Sequence, residues 1–170
     1  VLDAGGVASR ASGNEQGLLF TRLSHRRSTL GDFSLTAFHF AAQLYRAMLA
    51  ACTLRAGHDG DLSGCFQASR GDDNALRAVL AALPELAEAL DAGRAAERLG
   101  LPLASAGFWQ PGSGWLSPPA VCRALLQHPS ITLHCDSGPL QLLREAGTWV
   151  AVDAAGAALA RAPVAVLAAG

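Results

Sequence analysis

The chain has 170 residues, of which 51% are hydrophobic and 16% charged, and its formal net charge is -1. That is enough chain for one globular core and too apolar for disorder. The near-neutral balance excludes an overall field that would draw the protein to nucleic acid or an anionic membrane, and no apolar run reaches the roughly 18 residues of a membrane span.

Val1-Leu2-Asp3 reads as the end of a strand, and residues 4–29 as mostly loop, closing on the basic cluster His25, Arg26, Arg27. One small cluster on a neutral chain reads as a solvated loop more readily than as a grip on RNA phosphates. Asp32 or Ser34 can cap a helix running to about Ala51, whose Phe33, Ala37, Phe40, Ala41, Leu44 and Met48 follow three-four spacing and are expected to form its core face. Asp61–Ser69 is strand-like. Residues 72–100 read as helical throughout, starting at Asp72 or Asp73 and broken near Pro84 and Gly93. Pro102–Pro118 reads as extended, with turns at Pro111–Gly114. Ser117 then caps a helix with Pro118 in its first turn.

The last forty residues are β-rich. "ITLHC", "LQLLRE" and "WVAVDA" resemble successive strands, and "VAVLAAG" a final one. Buried parallel strands are short apolar runs of this kind, so both ends of the chain are expected to be cuts within a larger protein. Cys52, Cys65, Cys122 and Cys135 form no CxxC, and the five His show no i, i+4 pair. The cysteines are therefore expected to be reduced and mostly buried, with no metal bound. Trp109 and Trp115 flank a Gly-rich turn and are expected to pack in the core or a lid, although they could stack on a base.

The stretch "RASGNEQG", Arg10–Gly17, is too polar for a core. Strand end, acid, then small-residue loop is the arrangement of dinucleotide-binding βαβ units, where an acid ending the second strand binds the adenosine ribose. Asp3 has that context, with a plain turn Asp as the alternative. On the first reading, the Gly-rich fingerprint precedes residue 1.

"ASGNEQG" with "LLF", then "FSLTAFHFAAQLYRAML", "GWLSPPAVCRALL", the Trp-containing hairpin and "VAVLAAG" resemble, in order, one family. It is the FAD-dependent oxidoreductase domain of bifunctional tRNA 5-methylaminomethyl-2-thiouridine biosynthesis proteins, MnmC, in the D-amino-acid oxidase and glycine oxidase class. The resemblance implies a mixed α/β (α+β) fold, the middle portion of a glycine-oxidase-like FAD/NAD(P)-binding fold. Residues 1–29 would end an FAD-binding strand and carry the flavin loop. Residues 30–110 would belong to the substrate layer, and 111–170 would return to the FAD layer.

The resemblance also implies cofactor-binding residues. Ala11, Ser12, Gly13, Asn14, Gln16 and Gly17 would lie against the flavin of FAD, Gly13 and Gly17 because a missing Cβ lets backbone approach a flat ring. Pro139 would stand where backbone receives the adenine, although proline has no N–H to donate. Ala168 and Gly170 would border the adenosine diphosphate, and Asp3 would take the ribose. The sequence departs from the family pattern at Phe20-Thr21 (Tyr-Pro expected), Ser113 (Gly expected) and Ala169 (Asn expected).

The implied activity is oxidative removal of the carboxymethyl group from carboxymethylaminomethyl-uridine at the tRNA wobble position. No catalytic residue is assigned. The implied partners are tRNA and a fused methyltransferase domain using S-adenosylmethionine, in the cytoplasm and away from membranes. Without its fingerprint, the piece alone is expected to bind FAD poorly and turn nothing over, and to dimerise or repack. Alternative readings are an oxidase of small amines such as glycine or sarcosine, and a flavin-free structural or RNA-docking module.

Overall fold

A computed structural model describes residues 1–69, 71 and 73–168. The chain divides into two compact units, Gln16–Ser117 and the pair Val1–Glu15 with Pro118–Gly170.

In the unit Gln16–Ser117, β1 (Gly17–Leu19) leads through a loop to the long helix α1 (Thr29–Ala50). The helix starts earlier than Asp32, because Ser28 takes the cap: its hydroxyl accepts the Gly31 amide at 3.0 Å. Asp32 instead sits in the first turn, where a carboxylate suits the helix dipole, and it pairs with Arg27. There follow β2 (Gly60–Asp61), β3 (Cys65–Ala68), α2 (Asn74–Leu80), β4 (Glu88–Leu90), α3 (Ala92–Leu99), β5 (Gly107–Gln110) and β6 (Gly114–Leu116). They build two antiparallel three-stranded sheets, in the orders β1-β6-β2 and β3-β5-β4. Leu76, Leu80, Ala87 and Phe108 form a buried cluster, with Leu23, Leu86 and Ala89 packed against it.

Three expectations fail in this unit. Residues 72–100 are not helical throughout: Glu88–Leu90 is a strand, registered so that Leu90 faces Gly107. Pairing to β5, with Ala87 and Leu90 buried, overrides the helix preference of an Ala- and Leu-rich run. Gly93 does not break a helix but lies in the first turn of α3, which Asp91 caps through the Arg94 amide. Asp72, one of the caps expected for the preceding helix, lies outside the described residues, and Asp73 stands at that N-cap without a capping hydrogen bond. The third failure concerns α1. Its buried residues are Phe38, Ala42 and Met48, while Phe33, Ala37, Phe40 and Leu44 are exposed.

In the unit Val1–Glu15 with Pro118–Gly170, a 3-10 turn at Ala11–Gly13 lies against α4 (Pro118–Leu126). The strands β7 (Gln141–Glu145), β8 (Thr148–Val152) and β9 (Ala158–Ala162) form an antiparallel meander. Its first turn is Ala146-Gly147, with φ of 46° and 85°, the left-handed pair that a two-residue hairpin wants. Central β8 buries Val150, Ala151 and Val152. The expected last strand is not formed over its described part. Val164, Val166 and Leu167 are exposed coil, because an apolar run becomes a strand only beside an edge that pairs with it and β9 already fills the free edge of β8.

The cysteines are free, as expected, but not buried: Cys52 and Cys135 are exposed, Cys65 and Cys122 half-buried. Cys52 follows the α1 C-cap at φ 55°, a position set by the end of the helix rather than by packing. No helix among the described residues is long and apolar enough to cross a membrane.

Candidate functional site

The start of the chain pairs in parallel with residues 132–134. The Val1 amino group donates to the Thr132 carbonyl, the His134 amide to the Val1 carbonyl at 2.9 Å, and the Asp3 amide to the His134 carbonyl at 2.9 Å. Past that pair the two segments stay laced together. The amides of Asp136, Ser137 and Gly138 donate to the carbonyls of Gly5, Asp3 and Ala4 at 2.7, 3.1 and 3.3 Å. Asp3 and Pro139, 136 positions apart in number, thus come to one end of one strand pair. The Asp3 carboxylate is half-buried and accepts the Gly5 amide at 2.9 Å, so it stabilises its own turn, as the plain-turn alternative supposes. The three amides before Pro139 are all spent on residues 3–5, and Pro139 has none. Residues 136–139 therefore offer an adenine no backbone N–H.

The loop is open. Ala11, Ser12, Gly13, Asn14 and Gln16 are exposed and Gly17 is half-buried. Among the described residues, no hydrogen-bond partner meets the side chains of Ser12, Asn14 or Gln16. Gly13 closes its turn by donating to the Arg10 carbonyl at 2.9 Å. A Cβ there would lie 2.8 Å from the Ala8 carbonyl oxygen, so the chain itself already requires glycine at this position. Ala168 is exposed coil. Gly170 and Ala169 lie outside the described residues.

Past the loop, the strand exit is held by a buried amide that sequence reading missed. The Gln110 side chain accepts the Thr21 amide on Oε1 at 3.2 Å and donates from Nε2 to the Thr21 carbonyl at 3.0 Å. Ser113 Oγ donates to the same Oε1 at 3.3 Å. Thr21, Gln110 and Ser113 are all essentially inaccessible, at 1%, 1% and 0%. Gln110 pairs with Thr21 as a neighbouring strand would, across 89 positions that no local pattern links.

Two charged clusters were also invisible in the sequence. Asp59 is buried and receives the Arg55 guanidinium on both oxygens, the Arg55 amide, and His58 Nδ1. The Arg55 side chain, then its backbone amide, then His58 hold the Asp59 carboxyl well below the usual carboxylate range. Glu88 accepts Arg98 and Arg94, which lower its carboxyl as well. A recess of about 340 Å³ is lined by Leu90, Arg94, Glu97 and Arg98. Glu88 engages both of its arginines and Arg98 lies over the half-buried Trp109 ring, so the recess presents little free positive charge. Burial pushes the Cys65 thiol up, away from nucleophilic use. Among the described residues, no group of three His, Cys, Asp or Glu could hold a metal ion.

The sequence profile of the family described as FAD dependent oxidoreductase (DAO) matches residues 1–170. The chain belongs to that family. A protein from Pseudomonas paraeruginosa, the tRNA 5-methylaminomethyl-2-thiouridine biosynthesis bifunctional protein MnmC, is 37% identical over 166 residues, which is 96% of this chain and 24% of that protein. The chain thus spans about a quarter of the length of the curated relatives it matches. Among solved structures, glycine oxidase from Geobacillus kaustophilus superposes with a TM-score of 0.65 at 20% identity, over 91% of this chain and 44% of that one. NikD, an unusual amino acid oxidase essential for nikkomycin biosynthesis, gives 0.58 at 21%, over 92% and 41%. At these identities the two show the fold alone: a partial FAD-binding oxidase fold of mixed α and β, as the sequence implied. Ser12 and Asn14 are exposed and carry side-chain hydrogen-bond donors, the chemistry that the polar edge of a flavin ring would need.

Proposed function

We propose that this chain is part of an FAD-dependent oxidoreductase that removes the carboxymethyl group from carboxymethylaminomethyl-uridine, with or without 2-thiolation, at the wobble position of tRNA. The similarity to MnmC along 96% of the chain carries this reading. Residues 1–29 and 111–170 would serve the FAD layer, and 30–110 the substrate layer. Asp3, Ala11, Ser12, Gly13, Asn14, Gln16, Gly17, Pro139, Ala168 and Gly170 would border the cofactor. FAD, when bound, supplies a hydride acceptor for the C–H beside the secondary amine; water then splits the imine into a two-carbon oxo acid and a primary amine.

The chain's own share is to present donors and exclude bulk. Gly13 sets the loop turn, and Ser12, Asn14 and Gln16 offer hydrogen bonds that tune the ring's electronics. The partners would be tRNA and a fused methyltransferase domain using S-adenosylmethionine, in the cytoplasm. The 170 residues alone would bind FAD poorly, because a pyrophosphate wants a Gly-rich turn at a helix N-terminus.

The test is on the longer protein that contains this segment. A bound-flavin spectrum, together with loss of the two-carbon unit from tRNA followed by nucleoside mass, is the expected result. A flavin spectrum with untouched tRNA and oxidation of free glycine or sarcosine would move the substrate to small amines. A colourless protein would overturn the cofactor assignment too.

A further inference from the structure

Between β1 and α1 the chain carries Arg22, His25, Arg26 and Arg27, and residues 16–31 hold no acid. Three contacts fix this segment from behind. The Gln110 side chain holds both backbone groups of Thr21. Leu23 packs against the buried cluster of Leu76, Leu80, Ala87 and Phe108. Ser28 closes the segment by capping α1. Around these anchors Phe20, Arg22, His25, Arg26 and Arg27 are all exposed, Phe20 at 47%. Among the described residues, the Arg22 side chain meets no hydrogen bond, ion pair or ring, and that of Arg26 meets only His25, at 3.3 Å. Arg27 pairs with Asp32, but their side chains are 89% and 54% exposed, and an ion pair that wet is worth under about 1 kcal/mol. Three guanidinium groups, at most one of them neutralised, are thus held on a pinned loop that an exposed aromatic ring begins.

We propose that this loop is a docking surface for RNA backbone, seating the phosphates next to the base on which the reaction takes place; the proposal rests on the tRNA reading above and deepens it. Guanidinium is the side-chain group that pairs with phosphate through two parallel hydrogen bonds, and a loop already anchored loses little freedom on binding. Five residues separate Gly17, which would border the flavin, from Arg22, so chain length alone keeps Arg22 within about 18 Å of it. A wobble base brought to the flavin carries its own phosphates into that radius. Arg22 to Arg27 likewise spans at most about 18 Å, room for several phosphates of one strand. Phe20 favours RNA over an acidic peptide. Single-stranded RNA is gripped by cations on its phosphates and aromatic rings under its bases, whereas an acidic peptide would use the arginines and leave the ring bare. An anionic membrane calls for clusters of about four to eight cations, more than three arginines on a chain of net charge -1.

The test uses the longer protein with its flavin, and tRNA carrying the carboxymethylaminomethyl group. Kd is measured by filter binding from about 50 to 200 mM salt, and turnover at saturating tRNA by nucleoside mass. Combining Arg22→Gln, Arg26→Gln and Arg27→Gln is expected to weaken binding by about tenfold or more, with kcat within about twofold and the flavin spectrum unchanged. Each phosphate contact contributes about 0.7 to 0.9 to the slope of log K against log salt, so the slope should fall by about 2 to 3. Arg22→Lys, Arg26→Lys and Arg27→Lys together keep the point charges and should keep the slope. Phe20→Ala should weaken binding without moving the slope, because stacking releases no counterions. Arg161→Gln, on β9, is the control and should change neither. Should the triple Gln variant lose its flavin, Arg26→Gln alone carries the test, its slope expected to fall by about 1. A Gln variant that binds tRNA as wild type does would overturn the docking surface and leave the tRNA reading standing. A wild-type protein that leaves tRNA untouched would overturn both. Unchanged Kd with a lower kcat or a lower thermal midpoint would also overturn the docking surface, because the loop would then shape the protein rather than grip its substrate.

Discussion

Replacing Gln110 by leucine keeps the side chain's size and removes both ends of its amide. Two backbone groups then lose their partners, the N–H and C=O of Thr21, now held at 3.2 and 3.0 Å. Thr21 is 1% exposed, so water cannot take over. Leaving a buried polar group unpaired costs about 1–3 kcal/mol, and two such groups put the loss at roughly 2–6 kcal/mol. The Ser113 hydroxyl, 0% exposed, loses its acceptor as well and adds to the loss. The assay is urea unfolding followed by tryptophan fluorescence, Trp109 being the next residue along β5. The midpoint should fall with the slope unchanged.

Gln110→Glu sharpens the test. Protonated glutamate keeps one acceptor and one donor, so it can make both bonds to Thr21; the ionised form cannot. Burial raises its folded-state pKa above the unfolded value of about 4.3. Its contribution is therefore fully present below about pH 4 and lost as pH rises through the folded value. Relative to wild type, the variant should be nearly neutral in acid and destabilised at neutrality. A leucine variant within about 0.5 kcal/mol of wild type, the range of an inert surface change, would refute the claim that this amide holds the strand exit. So would a glutamate variant with no pH dependence.

The Asp59 carboxyl, held low by Arg55 and His58, contributes stability that is present above the unfolded pKa and lost only as pH falls through its lowered folded value. Its carbon-13 shift should stay flat from about pH 3 to 8, where ordinary carboxylates titrate. Asp59→Asn should destabilise most at neutral pH, read by denaturant midpoints. Glu88 is lowered by Arg98 and Arg94 but a third exposed, so Glu88→Gln should cost under about 1 kcal/mol, and that cost should shrink with added salt and with acid. Gly114→Ala should fold poorly or not at all, because its Cβ would run into the Asp61 carbonyl and Leu62, whereas Ser113→Gly should unfold within about 1 kcal/mol of wild type; soluble yield and thermal midpoints separate the two.

Much of the helix and loop pattern was legible, and what failed did so for physical reasons. The existence of α1 follows from its periodicity, but its buried side does not. Leu30, Phe33, Leu35, Phe38, Phe40 and Leu49 spread apolar residues over more than half of the circumference, so which stripe faces inward is decided by the rest of the fold. Glu-Ala-Leu at residues 88–90 has helical preference, and only the edge of β5 makes it a strand. The same holds for Ala158–Ala162, too small and alternating too weakly to announce a strand until β8 offers an edge. The loop at Ala11–Gly17 stood out because its composition fits no core. The proximity of Asp3 to Pro139 is a tertiary fact, although the strand ends that produce it were visible.

Two of the expected departures from the family pattern, at positions 21 and 113, meet at one atom. Proline was expected at position 21 and glycine at 113, and both residues found there reach one atom. A proline at 21 would have no N–H for Gln110 Oε1; Thr21 supplies one, and Ser113 supplies a second donor to the same oxygen. An amide oxygen has two lone pairs, and these two donors fill them, in a place where an unfilled acceptor would be costly. Gly114, which has no room for a side chain, remains glycine. The segment leaving the loop is thus anchored by a polar device, where a proline would have stiffened it by fixing φ. The Thr21 N–H is the donor that a proline would remove, so proline at 21 should leave Gln110 Oε1 with Ser113 Oγ as its one remaining donor and destabilise the chain, even though proline is the residue expected there.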